Sequence, residues 1–417
     1  MVFWGLEREK CMWRSHLTKS WKGLFPLKIA KNQKSAIKRL TWPRCPKIGV
    51  QLSKLTELFS EKLKANAARI RGLSFLVHAL LIHRTVNLVI LSTSDDGRGV
   101  TNETRYRRLQ DFFLNATLCY KSIGQFILSR ISKPKKGYVL AMDRTNWKFG
   151  RKHINFLVLS IIAGKVSIPL VWKVLPQKTK RGNSKTEQRI ALINRLLCIV
   201  PASDIEVLTM DREFVGEKWF KYLDSKGIGF IARIKMNCQI SGQRADHLAA
   251  TLFRRHLADA GRHKVFGLDL FFACKKMQDA RADYLLLLSN RCRGQQALQT
   301  YRKRWGIERL FWHMKRKGFD LEATHITSAK KLDKLFAIVS LAFLICFAWG
   351  CRIRFYKQHS SQQSQRKSLF RSGLEDILRM MQQRYSEHSK TRQDLRCQIE
   401  AFEEWITRDA FAEIFLV

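Results

Sequence analysis

Between Tyr138 and Leu175 the apolar spacing of the chain switches from the helical period to that of strands, three times in succession. Tyr138 to Asp143, Asn155 to Ala163 and Lys165 to Leu175 each read as a strand, and Gly164 between the last two predicts a hairpin turn. Three strands so closely spaced predict an antiparallel meander. Helical and strand patterns then alternate: a helix around Glu187 to Leu197, a strand Glu206 to Asp211, a helix around Glu217 to Leu223 and a strand Ile228 to Ile234. That alternation predicts an α/β fold, with the later strands laid beside the first. Asn237 to Gln278 is less regular, with Lys264 to Cys274 strand-like, and Tyr284 to Ser289 is a further apolar strand, so this stretch reads as an insertion. No period of 20 to 50 residues recurs, which excludes solenoids and propellers.

Upstream, Gln51 to Ser132 has helical spacing, with Leu55, Leu58, Phe59 and Leu63 on one face and a run from Leu76 to Leu91 broken by His83-Arg84. A helical bundle fits, joined to the strands by Lys133-Pro134-Lys135-Lys136-Gly137. Within it Asn102 reads as an N-cap, Arg105, Tyr106, Arg107 and Arg108 as an exposed basic stretch, and Leu109, Phe112 and Phe113 as the buried side. Such a helix suits DNA docking, and a merely solvated basic face reads equally well. The 16-residue apolar run Leu335 to Gly350 is short of the roughly 20 that a membrane span needs, so it is expected to be a core helix.

Charge narrows the partners. Lys and Arg number 77 against 34 acids, a net +43, so an anionic partner is expected to neutralise the chain, and nucleic acid is the first candidate. The first 50 residues hold twelve Lys/Arg and two acids, without periodicity and broken by Pro26, Pro43 and Pro46. They read either as a basic arm that grips phosphates or as upstream sequence translated from a wrongly assigned start. Ten cysteines without a C-x-x-C pair point to reduced thiols of a cytosolic protein, and the charged run Glu7 to Lys10 does not read as a secretory signal.

Asp143 and Asp211 each close an apolar run, and two adjacent strands ending on Asp bring two carboxylates within reach of one hard cation. A lone Asp at a strand end more often serves the turn. The segment Tyr301 to Lys317 carries seven cations and one acid, Glu308, and reads as one helix closed by Gly318 as C-cap. At about 100° per residue, Tyr301, Arg304, Glu308 and Lys315 share a stripe with Trp305 and Trp312 beside it. Ile307, Leu310, Phe311 and Met314 form the apolar side, Arg302, Arg309, His313 and Arg316 the remaining polar one, and Gly306 is a potential kink. From spacing alone Glu308 is either a functional acid or an i,i+4 partner of its basic neighbours.

Tyr301-x2-Arg304-x3-Glu308-x6-Lys315 resembles the YREK signature of the insertion-sequence-four group of DDE transposases. Gly318 to Thr327 resembles the stretch that follows that signature, and Asp211-Arg212-Glu213-Phe214 its second-aspartate motif. The likeness spans about residues 70 to 350, and the motifs occur in the family's order. It implies an RNase H-like mixed sheet with flanking helices and a β-rich insertion before the last catalytic helix, following an N-terminal helical DNA-binding region. It further implies that Asp143, Asp211 and Glu308 hold two Mg2+ ions, which Mn2+ can replace. Two such cations about 3.5–4 Å apart activate the nucleophile and stabilise the leaving oxygen. Water would free a 3′-OH at the element's end, which then attacks target DNA. Arg304 and Lys315 would clamp phosphate, and Tyr301 would bond a phosphate or pack on sugar.

The expected organisation is a basic extension 1–50, a helical DNA-binding region 51–136, a core in two parts, 137–236 and 291–350, around a β-rich insertion 237–290, and a helical tail 351–417. Expected partners are double-stranded DNA, as terminal inverted repeats and target, and a second copy when two ends are synapsed, with no membrane, in a bacterial cytoplasm beside the nucleoid. Some relatives hold a flipped base on a tryptophan of the insertion, and no Trp stands between Asn237 and Arg291 here, which leaves the hairpin route open; Trp305 and Trp312 read either as base-stacking groups or, as the leading expectation, as packing on the sheet. His325 and Thr327 read as caps or as supports of the site, and Lys148, Lys152, Lys178, Lys180 and Arg181 as channel or surface lysines and arginine. Ser372-x-x-Glu375 reads as a capping box of a tail helix that pairs subunits or packs on the core. Two rival functions stand beside the enzyme: a non-catalytic DNA-binding remnant and a simple RNase H-like nuclease.

Overall fold

The structure, a computed structural model, describes residues 52–95, 98–176, 183–254, 259–277, 284–358, 367–382, 397 and 399–406. The basic extension, Lys178, Lys180 and Arg181 lie outside these residues.

Five helices come first: α1 (Leu52–Lys62), α2 (Ala67–His83), α3 (Leu88–Leu91), α4 (Asn102–Asn115) and α5 (Tyr120–Ser129). Leu55, Leu58, Phe59 and Leu63 are buried as their spacing predicts. Asn66 caps α2, its side chain accepting from the Arg69 N–H, and the helix stops where Arg84 turns left-handed. The cap of α4 is Thr101, one residue before the expected Asn102. Arg105 is the larger correction: it is buried, and its guanidinium donates to the carbonyls of Ser92 and Val100 and to the Asn102 side chain. Ser92 closes α3, Val100 precedes α4 and Asn102 opens it, so Arg105 ties the end of α3 to the start of α4, while Arg107 and Arg108 remain exposed.

The sheet begins with β1 (Tyr138–Phe149), β2 (Lys152–Ala163) and β3 (Val166–Val174), the predicted antiparallel meander. After α6 (Thr186–Leu197), β4 (Ile205–Met210) pairs parallel to β1, and after α7 (Glu217–Ser225), β5 (Phe230–Arg233) pairs parallel to β4. Pro169 is tolerated because β3 is an edge strand. Next come the two-residue strands β6 (Gln239–Ile240) and β7 (Gln243–Arg244), then α8 (Ala245–Arg254), β8 (Asp259–Val265), β9 (Leu268–Lys276) and β10 (Tyr284–Ser289). The single strand expected from Lys264 to Cys274 is a hairpin, because Phe266 and Gly267 both take positive φ, as a two-residue turn of the primed type requires. β10 pairs antiparallel with β5, so the sheet runs β3-β2-β1-β4-β5-β10-β9-β8. This mixed sheet with flanking helices is consistent with an RNase H-like fold.

The chain then forms α9 (Gly294–Arg302) and α10 (Trp305–Trp312), followed by a π-helical turn, His313–Lys317. Last come α11 (Ala329–Gln358) and α12 (Leu369–Gln382). α11 is longer than its 16-residue apolar run suggests, long and apolar enough to cross a membrane, yet residues 334–350 are all buried within the protein. Lys334 is buried in this helix because its ammonium donates to the carbonyls of Phe112, Phe113 and Leu114 and so closes the C-terminus of α4. α12 packs on α11, with Gly350 and Gly373 at the crossing: a Cβ on Gly373 would lie 1.9 Å from the Cys346 carbonyl oxygen. Its first turn is capped by Ser368, which accepts from the Arg371 N–H, rather than by the expected Ser372.

Candidate active site

β1 does not end at Asp143 as expected. It continues to Phe149 because Thr145 and Trp147 alternate inward with exposed Asn146 and Lys148, keeping a half-buried strand paired with β2. What ends there is the pairing with β4: the parallel ladder closes at Met142↔Met210. Asp143 and Asp211 are the next residues on each strand, which brings them together at the sheet's centre. The chain after Asp211 turns at once, the Phe214 N–H donating to the Asp211 carbonyl at 2.9 Å.

The third acid comes from α10. The expected continuous helix Tyr301 to Lys317 is interrupted at Lys303-Arg304, where i→i+3 bonds replace the α-helical ones, and widened after Trp312 into the π turn. Gly318 is not in the left-handed region and does not cap the helix as expected. Gly306 lets α10 lie directly on β3: a Cβ there would meet Ser167 Oγ at 2.9 Å and the Val166 carbonyl carbon at 3.1 Å. Ile307, Leu310, Phe311 and Met314 are buried as predicted. His313, expected on the polar side, is buried against Phe343 and Phe370, because the π turn rotates the residues that follow Trp312. Trp305 and Trp312, expected to pack on the sheet, are about half exposed, at 56% and 48%.

Arg304 is the hub of the arrangement. Its guanidinium donates to Asp143 Oδ2 at 3.0 Å and to Glu308 Oε1 at 2.6 Å, and it lies 5.5 Å from the centre of the Tyr301 ring. The Tyr301 hydroxyl reaches Asp211 Oδ1 at 3.4 Å, and Arg233 stands 3.9 Å from the same oxygen. The structure thus brings Asp143, Asp211, Glu308, Tyr301 and Arg304 to one place. Lys315 is held apart, donating to the Asn146 carbonyl at 2.6 Å beside Trp147 and paired with Glu322 at 3.0 Å. Lys148 is exposed, Lys152 donates to Thr327, and His325 stacks on Phe149.

Burial pushes the Asp143 carboxyl up to about 6; Arg304 and the Arg144 N–H pull it down, while Glu213 and Asp211 push it up. Burial likewise opposes the charge of Arg304, but the facing Tyr301, Asp143, Asp211 and Glu308 outweigh it and hold the guanidinium firmly protonated. Burial raises the Tyr301 hydroxyl as well, so it remains a donor. Beside Asp211 opens a cleft of about 570 Å³ that Arg212, Lys235 and Asn237 help to line. Two neighbours had no assigned role in the sequence: Arg144 binds Glu213 with both ends of its guanidinium fork. Their only signal was adjacency to Asp143 and membership of the Asp211-Arg212-Glu213-Phe214 run.

Residues 134–345, just over half of the chain, match the family model described as a transposase DDE domain. The chain belongs to that family. No curated protein matches the sequence significantly. Asp143, Asp211, Glu308, Tyr301, Arg304 and Lys315 all fall within the DDE domain; Arg105, Arg107 and Arg108 precede it. Membership implies nuclease or transposition chemistry on DNA, and the DDE domain generally works with divalent metal ions. The donor types suit such an ion: three hard carboxylates, two of them on the Arg304 guanidinium and the third on the Tyr301 hydroxyl. Among the described residues no three His, Cys, Asp or Glu side chains stand close enough to cage a metal as they are; here Arg304 bridges Asp143 and Glu308.

Proposed function

We propose that this DDE domain is the catalytic part of an insertion-sequence transposase of the insertion-sequence-four group, with Asp143, Asp211 and Glu308 as its metal-binding carboxylates. The observation that carries the reading is the convergence on Arg304. A guanidinium between two carboxylates, with a third held by Tyr301, is a site whose negative charges need a cation to coexist. Bound divalent ions, Mg2+ or Mn2+, would supply Lewis-acid stabilisation of charge at the scissile phosphate.

The chain's own groups account for the rest. The Arg304 fork, planar and permanently charged, fits phosphate oxygens as well as carboxylates. Its buried Nε has no acceptor among the described residues, so the side chain is under-satisfied where it stands. Exchanging Asp143 and Glu308 for a DNA phosphate would free both acids and fix the strand. Tyr301 would stay beside Asp211 and orient it. The scheme is hydrolysis followed by transesterification: water attacks phosphorus and the P–O3′ bond breaks, leaving a 3′-OH. That hydroxyl then attacks a target phosphorus and displaces the target's own 3′ oxygen. The exposed Arg107 and Arg108 support DNA contact by α4, and the reading includes terminal inverted repeats as the bound ends and a homodimer at synapsis.

Glu308→Gln should abolish end cleavage in Mg2+ while leaving binding to the ends largely intact, since affinity rests mainly on phosphate neutralisation. Cleavage by the variant at the wild-type rate would remove Glu308 from the site. Absence of cleavage by the wild type itself, with DNA binding retained, would favour the non-catalytic remnant; cutting without joining would favour the simple nuclease.

A further inference from the structure

We infer that Arg144 and Glu213 are positioning residues whose ion pair braces the two aspartate-bearing segments and thereby sets the affinity of the carboxylate site for a divalent cation, an inference that rests on the metal-site reading above. The β1–β4 ladder ends at Met142↔Met210. Just past that point β1 and the turn after Asp211 lose their shared backbone bonds, and it is there that the ion pair spans them. Arg144 Nε donates to Glu213 Oε1 and its terminal nitrogen to Glu213 Oε2, both at 2.6 Å. The two side chains are only 11% and 18% exposed, so solvent weakens the pair little.

Both ends of the brace are tied down. The Arg144 N–H donates to Asp143 Oδ1 at 2.7 Å, so a shift of Arg144 carries the Asp143 carboxylate with it. At the other end the Glu213 carbonyl accepts from Arg189 at 2.9 Å; Arg189 is itself buried and donates to the Ser184 carbonyl at 2.6 Å. This fixes the turn that carries Asp211. The pair also has an electrostatic effect. A free fourth carboxylate beside Asp143, Asp211 and Glu308 would compete for a cation and repel phosphate, and engaging both of its oxygens with Arg144 withdraws it from the donor set.

The test is Mn2+ binding to the full-length protein without DNA, by electron paramagnetic resonance or calorimetry, with thermal unfolding run on every variant. Arg144→Ala and Glu213→Gln should each weaken Mn2+ binding by about 10- to 100-fold, the usual range for groups that orient metal ligands. The Arg144→Ala/Glu213→Gln double variant should be no weaker than the worse single, and the charge-exchanged Arg144→Glu/Glu213→Arg pair should recover part of the loss. Arg144→Lys, which keeps the charge without the fork, should bind at an intermediate level with an unchanged melting temperature, and decides the matter if a harsher variant fails to fold. Wild-type affinity in Arg144→Lys and Arg144→Ala overturns the inference. So does a loss confined to Glu213→Gln, which would make Glu213 a direct ligand, and so does a charge-exchanged pair no better than the singles. Asp143→Asn with undiminished Mn2+ binding would instead reject the metal site itself, and the brace with it.

Discussion

Arg304 is tolerated in the interior because of what it faces. A guanidinium this buried is expensive to desolvate, and the facing Tyr301 and the close carboxylates offset the cost. Removing one partner of such a pair commonly costs about 3–5 kcal/mol, because the remaining charge is stranded. His313 shows the opposite solution. Burial, aided by Arg309 and Arg371, lowers its pKa to about 4, and it sits neutral between Phe343 and Phe370. The unfolded chain takes up a proton near 6.5, so the stability from keeping His313 neutral is complete above that pH and is lost as the pH falls toward 4. The difference is roughly 3 kcal/mol at 1.36 kcal/mol per pH unit. The melting temperature should therefore fall more steeply between pH 7 and 4.5 in the wild type than in His313→Phe; parallel curves would mean that His313 binds its proton as readily in the fold as in the unfolded chain. The acids were legible because two of them close apolar runs and the third is the sole carboxylate among seven cations. The partner of Arg144 was not, since Glu213 lies 69 residues away and only the tertiary fold brings it near; Arg105 turns inward onto backbone carbonyls of Ser92 and Val100, which carry no side-chain signal.

Among elements, β1 and α10 do most to fix the site. Gly306→Ala would push α10 off β3, with a cost of about 1–3 kcal/mol for overpacking and displacement of Glu308 two residues on. The expected result is a lower melting temperature together with reduced end cleavage. Full cleavage in a destabilised variant would show that Glu308 does not depend on this seat. Existence and order of the elements were readable from periodicity: β2, β3, α6, β4, α7 and β5 lie within a few residues of where the spacing puts them, and β1 starts where expected but runs on to Phe149. The misplaced features were those where polar residues face out from a continuing strand, as at Asn146 and Lys148, and where one residue too many in a helical turn changes the face, as after Trp312. A hairpin closed by Phe266-Gly267 also hid within one apolar stretch, because Phe gives no turn signal.

For the whole molecule the dominant quantity is +43. Affinity for duplex DNA should fall by about 10³- to 10⁵-fold between 50 and 200 mM salt if six to ten phosphates are neutralised. Fluorescence anisotropy on terminal-repeat and unrelated duplexes would check this. A flat response on both would contradict an electrostatic grip. The long apolar helix α11 illustrates why composition alone is ambiguous at this scale: its hydropathy suits a bilayer, and its surroundings in the fold are protein.

The sheet does not stop at its fifth strand. Because β10 zips onto β5, the detour between Met236 and Asn290 is welded to the sheet that carries Asp143 and Asp211 rather than hung from it as a detachable module. Trimming that detour would bare a row of unsatisfied amides one strand away from Asp211, an adhesive rim on which another chain's strand could grow.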